Sequence, residues 1–164
     1  MIRIGVLSDT HLGQPDELFQ EQVGACFKDI GIILHAGDLT SAAVIETFAD
    51  KKFYGVQGNM CDASSRSLLP ECRKITIGDK TLVLVHGHRY GYHDLEERLY
   101  NEFYQADCIV YGHTHTPSCH RIGDILMVNP GSFLGTGRYG SRGTYAILEF
   151  DNGIRGQIFE VPRL

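Results

Sequence analysis

The sequence has no tryptophan, only five prolines, and no apolar run long enough to cross a membrane. Its five cysteines form no Cys-x-x-Cys pair, which argues against a disulfide framework and a zinc knuckle. Free thiols are typical of a reducing cytosol. The first residues begin a strand pattern directly, without the charged and apolar regions of a signal peptide. We therefore expect a cytoplasmic protein with no membrane partner.

Positive charge is also scarce. Lysine and arginine number 15 against 20 aspartates and glutamates, giving a formal net charge of −5 at pH 7. A broad nucleic-acid surface requires a basic stripe, so we expect none. The 164 residues suit a single domain spanning 1–164, with a core large enough to need no disulfides. The sequence leaves the oligomeric state open, including a homo-oligomer.

Glycine is plentiful: 19 of 164 residues, about 12%, against a usual share of about 7%. In the first half of the chain, apolar runs alternate with helical patterns, which predicts parallel strands. In the second half, hairpin signals occur at Gly78-Asp79, Gly123-Asp124 and 151–153, which predicts antiparallel pairs. Together these patterns predict an α/β fold with mixed sheets.

Five predicted strands end in side chains that commonly bind metal ions. Because the carboxyl ends of the strands in an open α/β sheet form the ligand site, we expect these side chains to converge on one edge. Glycines flank most of them, and we expect each glycine to let the chain turn sharply. The candidate ligands are Asp9, His11, Asp38, Asn59, His86, His113 and His115.

Each motif alone has a plain structural alternative. The segment 9–11 could be a strand-end turn with a helix cap, Gly37-Asp38 and Gly58-Asn59 are common turn pairs, and His86 could be a core histidine. The segment 113–115 is a stronger indication, because alternate residues of an extended backbone point the same way. Five such strand ends in one chain favour a metal site over five separate turns.

The number and type of ligands indicate two ions. Two aspartates, one asparagine and four histidines are too many for a single Zn²⁺, which takes three or four protein ligands. They suit two metal ions that share a carboxylate and clamp a phosphoryl group. Mixed imidazole and carboxylate ligation favours Mn, Fe, Zn, Co or Ni over Ca and Mg.

The order of these motifs resembles that of the calcineurin-like metallophosphoesterase family, with Asp-x-His first and Gly-His-x-His last. The short chain, the segment 58–62, the run 86–88 and the segment 129–132 are similar to the small prokaryotic phosphodiesterases that lack a cap domain. The resemblance implies a four-layer sandwich of two mixed β-sheets flanked by helices.

The resemblance also implies roles for the ligands. Two divalent ions, with Mn²⁺ favoured and Ni²⁺, Co²⁺, Fe or Zn²⁺ as alternatives, would activate a bridging hydroxide for in-line attack on phosphorus. Asp38, Asn59 and His86 would then be both ligands and catalytic residues, and His88 is a further catalytic candidate. The first ion would be held by Asp9, His11 and His115, the second by Asn59, His86 and His113, and Asp38 would bridge them.

Three functions fit this resemblance. The first is a phosphodiesterase acting on a small phosphate ester, and the second is a phosphomonoesterase. The third is a non-catalytic interaction scaffold, like the retromer subunit that keeps this fold but departs from the ligand pattern. All seven ligand positions are filled here, which favours an enzyme. Four arginines are candidates for a phosphate clamp, with none singled out: Arg66, Arg89, Arg138 and Arg142.

Overall fold

The computed structural model describes residues 1–135 and 141–164. None of the helices in those two ranges is both long and apolar enough to cross a membrane. The strands are β1 (Ile2–Leu7), β2 (Ile32–His35), β3 (Lys52–Gly55), β4 (Cys72–Ile77), β5 (Lys80–Val85), β6 (Cys108–Val110), β7 (Ser118–Ile122), β8 (Ile125–Asn129), β9 (Thr144–Phe150) and β10 (Ile154–Glu160). The helices are α1 (Glu17–Phe27), α2 (Ala43–Glu46), α3 (Ala63–Leu68) and α4 (Leu95–Glu102).

The strands form two mixed five-stranded sheets. The first sheet has the order β10-β9-β1-β2-β3, with β1, β2 and β3 parallel and β9 antiparallel to β1. The second has the order β4-β5-β6-β8-β7, with β5, β6 and β8 parallel. The three predicted hairpins are present as β4–β5, β7–β8 and β9–β10. The predicted α/β sandwich is therefore confirmed.

Apolar side chains fill three layers between these elements. Val6 of β1 and Leu84 of β5 belong to the buried cluster between the sheets. Ile33 of β2 packs with Phe27 of α1 on the outer face of the first sheet. Leu99 of α4 lies in the cluster on the outer face of the second sheet. Each such side chain contributes about 1.5–3 kcal/mol when fully buried.

Helix α1 begins and packs as its sequence predicts. Asp16 caps it, with Oδ1 accepting a 2.8 Å hydrogen bond from the N–H of Phe19. The buried face carries Phe19, Val23 and Phe27. Below it, a Cβ on Gly5 would lie 2.5 Å from Cδ1 of Phe27, so the helix packs directly on the backbone of β1.

Helix α3 was not predicted from the sequence. Asp62 caps it, accepting hydrogen bonds from the N–H of Ser65 at 2.8 Å and from the hydroxyl of Ser64 at 2.7 Å. Its one buried residue is Ser65, and Leu68 is exposed. The helix therefore lacks the apolar stripe from which helices are recognised in a sequence.

Candidate metal centre

All seven predicted ligands lie just beyond the carboxyl ends of their strands, at one edge of the sandwich. Three strand ends of the first sheet and two of the second contribute to this edge. The first sheet supplies Asp9 and His11 after β1, Asp38 after β2 and Asn59 after β3, and the second supplies His86 after β5 and His113 and His115 after β6.

One group of ligand atoms surrounds Oδ1 of Asp9. Nε2 of His115 lies 3.2 Å from this oxygen, and Nε2 of His11 lies 3.7 Å from it. The two ring nitrogens are 3.3 Å apart. One carboxylate oxygen and two imidazole nitrogens within 4.8 Å of one another are sufficiently close to hold one ion.

A second group comprises Asp9, Asp38 and His86, all of them buried. Nε2 of His86 lies 3.2 Å from Oδ2 of Asp38 and 3.9 Å from Oδ1 of Asp9. Asp9 is thus common to both groups. Oδ2 of Asp38 also lies 3.9 Å from Nε2 of His11, so it faces both groups as well. The bridging role of Asp38 stays a prediction.

Asn59 and His113, the other predicted ligands of the second ion, lie against His86. Oδ1 of Asn59 is 3.1 Å from Nε2 of His86. The ring of His113 makes an edge contact with the ring of His86, at a centroid distance of 5.2 Å. His113 is in neither of the two close groups, and its role as a ligand also stays a prediction.

The two carboxylates are each fixed through one oxygen. Oδ2 of Asp9 accepts hydrogen bonds from the Ser8 hydroxyl at 2.6 Å and from the N–H of His113 at 3.2 Å. Oδ1 of Asp9 is buried with no hydrogen-bond partner in the described chain. Oδ1 of Asp38 accepts from the N–H of Met60 at 2.7 Å, which leaves its Oδ2 facing the imidazoles. An orphaned buried carboxylate oxygen among ring nitrogens fits a metal ion.

A backbone carbonyl fixes the orientation of the His86 ring. Its Nδ1 lies 2.7 Å from the carbonyl oxygen of Ala36. A carbonyl can only accept, so Nδ1 carries the proton and Nε2 points at the carboxylates. Burial lowers the pKa of His86, but the carboxylates of Asp38 and Asp9 and the carbonyl of Ala36 together outweigh burial and raise it. A cation is therefore favoured at this nitrogen, whether a proton or a metal ion.

Asp9 stays ionised despite its burial. Burial alone raises the pKa of this carboxyl. The imidazoles of His11, His115 and His86 and the hydroxyl of Ser8 together outweigh burial and hold the pKa far below its usual range. The candidate centre therefore contains a permanent negative charge surrounded by imidazoles.

Five of the seven predicted ligands have left-handed backbone conformations, which are uncommon outside glycine. Each costs on the order of 1–3 kcal/mol and persists only where its surroundings enforce it. The expectation of an extended backbone over 113–115 is therefore wrong, although both histidines of this segment still lie at the candidate centre. The φ values are +53° for Asp9, +47° for His11, +56° for Asp38, +70° for His113 and +59° for His115.

The flanking glycines serve two different purposes. Gly37 has a φ of +98°, as expected for a sharp turn. Gly58 is required because there is no room for a side chain: a Cβ there would lie 2.0 Å from Oδ1 of Asp38. At Gly112 a Cβ would lie 2.1 Å from the Ser8 hydroxyl. The expectation that every glycine gives a turn was therefore too simple.

His35 contacts the loops that follow β1 and β2 through both of its ring nitrogens. Its Nδ1 accepts a 3.2 Å hydrogen bond from the N–H of Gly37, and its Nε2 lies 3.1 Å from the Thr10 hydroxyl. Burial lowers the pKa of His35 to about 4, so the ring is neutral at pH 7. This histidine therefore links the loops after β1 and β2.

His88, predicted as a catalytic residue, lies next to the centre. It begins a short 3₁₀ turn, 88–90, and its ring centroid is 5.5 Å from that of His86 and 6.3 Å from that of His113. Its Nδ1 is buried without a hydrogen-bond partner in the described residues. Burial lowers the pKa of His88. Its catalytic role stays a prediction.

Of the four candidate phosphate-clamping arginines, two form ion pairs with carboxylates and Arg66 lies on helix α3. Arg89 forms an ion pair with Glu71, and Arg142 forms one with Glu160. Arg138 lies outside the described residues.

Two exposed side chains also lie at this edge of the sandwich. The ring of Tyr92 lies on that of His113, with centroids 4.3 Å apart and planes 30° apart. Met60, whose N–H binds Asp38, is exposed as well. Tyr92 and His113 belong to different loops, so no sequence spacing links them.

Carboxylates and imidazoles thus meet at the strand ends of two facing sheets, as candidates for a metal centre. The chain belongs to the calcineurin-like phosphoesterase superfamily, whose domain matches residues 2–153.

Individual relatives agree with this assignment. The chain is 38% identical to a "probable metallophosphoesterase" of Methanothermobacter thermautotrophicus over 79% of this chain and 76% of that protein. It is 27% identical to a phosphodiesterase of Methanocaldococcus jannaschii over 82% and 86% of the two chains. The crystal structure of Chaetomium thermophilum Vps29 has the same fold, with a TM-score of 0.76, 18% identity and 98% of each chain covered.

Proposed function

We propose that the protein is a metal-dependent phosphodiesterase that hydrolyses a small phosphate ester at a dinuclear centre. The main supporting observation is the buried Oδ1 of Asp9, which has no hydrogen-bond partner among the described residues. It faces Nε2 of His11 from the first sheet and Nε2 of His86 and of His115 from the second. A buried ionised oxygen in such a position requires a cation. The similarity to a phosphodiesterase of Methanocaldococcus jannaschii supports this reaction class.

The proposed ligand sets are those predicted from the sequence, with Asp38 as the shared ligand. Bound ions would supply a hydroxide nucleophile and neutralise charge on the phosphoryl oxygens. The chain's own contribution is to orient the ligands: Met60 fixes one oxygen of Asp38, and the Ala36 carbonyl fixes the ring of His86. The first ion would be held by Asp9, His11 and His115, the second by Asn59, His86 and His113, with Asp38 between them.

The net charge of the proposed centre favours an anionic substrate. The two buried aspartates, Asp9 and Asp38, only partly neutralise two divalent cations. The centre would therefore remain positive and attract the phosphate group of an ester. Mn²⁺ is the proposed native ion, because imidazole ligands favour softer ions than Mg²⁺ and carboxylates remain compatible with Mn²⁺.

The experiment measures metal content and turnover together. The purified protein is loaded with Mn²⁺, and its metal is counted by elemental analysis. Hydrolysis of bis(4-nitrophenyl) phosphate is then compared with that of 4-nitrophenyl phosphate. Faster turnover of the diester supports the proposal, and faster turnover of the monoester supports a phosphomonoesterase. Bound metal without turnover of either ester would favour the scaffold role.

A further inference from the structure

Two exposed apolar side chains border the proposed centre. The exposed fraction is 65% for Tyr92 and 55% for Met60. Large apolar side chains at the rim of a polar site are a common means of contacting an apolar part of a ligand. Neither residue packs into any of the three buried clusters. Packing of the hydrophobic core therefore does not explain why large apolar side chains occupy these two positions.

Tyr92 presents a partly open ring. It follows Gly91, whose φ of +77° turns the chain after the 88–90 segment. One part of the ring lies on the imidazole of His113, at a centroid distance of 4.3 Å. His113 in turn contacts His86, so a chain of ring contacts runs from Tyr92 through His113 to a predicted ligand of the second ion. The remaining ring surface faces solvent.

Met60 borders the same ligands. Its N–H donates to Oδ1 of Asp38, so its Cα lies beside that carboxylate. It directly follows Asn59, whose Oδ1 is 3.1 Å from Nε2 of His86. The two apolar side chains thus adjoin the ligand set of Asn59, His86 and His113.

We propose that Tyr92 and Met60 bind a planar aromatic ester group, so that the substrates are aryl or nucleoside phosphodiesters. This inference rests on the proposed function, because it takes the phosphate to be bound at the metal centre. An ester group on that phosphate reaches the rim, where an aromatic ring stacks on the open surface of Tyr92. The thioether of Met60 adds a sulfur–aromatic contact. An alkyl ester gains neither contact.

The test uses two non-hydrolysable probes, phenylphosphonate and methylphosphonate. Their dissociation constants are measured by calorimetry with Mn²⁺-loaded protein, and the ratio within each variant is compared. An aromatic contact changes a binding constant by about 2- to 12-fold. We expect phenylphosphonate to bind more tightly by a factor in this range in wild type and in Tyr92→Phe. We expect Tyr92→Ala to abolish the preference and Met60→Ala to reduce it.

Tyr104→Ala is the matched control, because this tyrosine is 66% exposed and lies just beyond helix α4. It should keep the wild-type ratio. Equal affinity of wild type for the two probes would overturn the inference while leaving the proposed function intact. An unchanged preference in Tyr92→Ala would overturn it too. If Tyr92→Ala binds neither probe, the ratio in Met60→Ala decides, and an unchanged ratio there contradicts the inference. Failure of wild type to bind either phosphonate would instead contradict the proposed function.

Discussion

The N–H of Met60 donates a 2.7 Å hydrogen bond to Oδ1 of Asp38. This contact turns Oδ2 of the same carboxylate toward Nε2 of His86 at 3.2 Å and toward Nε2 of His11 at 3.9 Å. His11 follows a strand of the first sheet and His86 follows a strand of the second. One oxygen therefore faces ligands from both halves of the sandwich.

Asp38→Ala should lose most of its bound metal and nearly all of its activity, because both proposed ions would lose a shared ligand. Loss of an outer contact to a metal site costs about 10–100-fold, so loss of this ligand should reduce kcat/KM by at least about 100-fold. His88→Ala should keep both metals. Elemental analysis of the two variants checks the difference. Two ions per chain in Asp38→Ala would exclude the bridging assignment.

Gly58→Ala should disrupt the centre without changing any ligand. Its Cβ would lie 2.0 Å from Oδ1 of Asp38 and 2.6 Å from the backbone nitrogen of that residue, so the loop must shift. Gly24→Ala is the matched control, since nothing lies within 4 Å of its Cβ on α1. We expect Gly24→Ala to gain about 1 kcal/mol of stability with unchanged activity. Normal metal content and turnover in Gly58→Ala would contradict the tight packing of this loop.

Chelation should abolish hydrolysis. The proposed mechanism assigns no side chain as a covalent nucleophile, so the reaction depends on the bound ions. Mn²⁺, Ni²⁺ or Co²⁺ should restore turnover better than Mg²⁺, because imidazoles favour these ions. The measurement is turnover of an aryl phosphodiester after chelation and metal addition. Full activity of protein shown by elemental analysis to be metal-free would refute the metal mechanism.

The rate should depend steeply on the leaving group. The resemblance to the wider family implies a Gly-Asn-His-Glu run where this chain has the segment 58–62, with the histidine of that run protonating the leaving group. Here Met60 carries no ionisable proton, and Cys61 is buried with its sulfur accepting the N–H of Gly58. General-acid assistance is worth about 10²–10⁴-fold, and its loss should favour stable leaving groups.

A plot of log kcat/KM against leaving-group pKa for substituted phenyl diesters measures this dependence. A nearly flat plot, with the chemical step shown to limit the rate, would indicate a proton donor. His88→Ala would then be the first variant to examine, because its ring lies 5.5 Å from that of His86.

His35 should make the metal-free protein less stable in mild acid. Burial lowers the pKa of His35 to about 4, whereas an unfolded histidine titrates near 6.5. The unfolded chain therefore binds more protons between these values, and stability falls as the pH drops from about 6.5 to about 4. The contribution is about 3 kcal/mol, from the size of the shift.

Urea unfolding of wild type and His35→Asn at pH 7.5 and pH 4.5 isolates this effect. Asparagine keeps an acceptor for the N–H of Gly37 but does not titrate in this range. The variant should lose less stability on acidification than wild type does. Equal losses in the two proteins would show that His35 does not cause the change.

The position of the site could be predicted because its residue types follow apolar runs. Each of β1, β2, β3, β5 and β6 is buried toward its carboxyl end, and a polar ligand type follows within four residues. Parallel strands bring these ends to one edge, so the convergence follows from topology. The extent of the domain over 1–164 stays a prediction.

The local geometry could not be predicted in the same way. The alternation at His113 and His115 suggested extended backbone, but both residues have positive φ. Hydrogen bonds from other loops enforce that conformation, including the one from the N–H of His113 to Asp9. The stacking of Tyr92 on His113 depends on the meeting of two loops, which no local pattern encodes.

Because the predicted ligands come from both sheets, bound ions would link one sheet to the other. The interior between the sheets is held by apolar contacts, which have no preferred direction and resist sliding weakly. Ions held at the proposed centre would be directional cross-links between Asp9 and Asp38 on one side and His86 on the other. They would therefore hinder shear of one sheet over the other while leaving strand pairing within each sheet unchanged. Metal removal should accordingly loosen the alignment of the two sheets before it unravels either one.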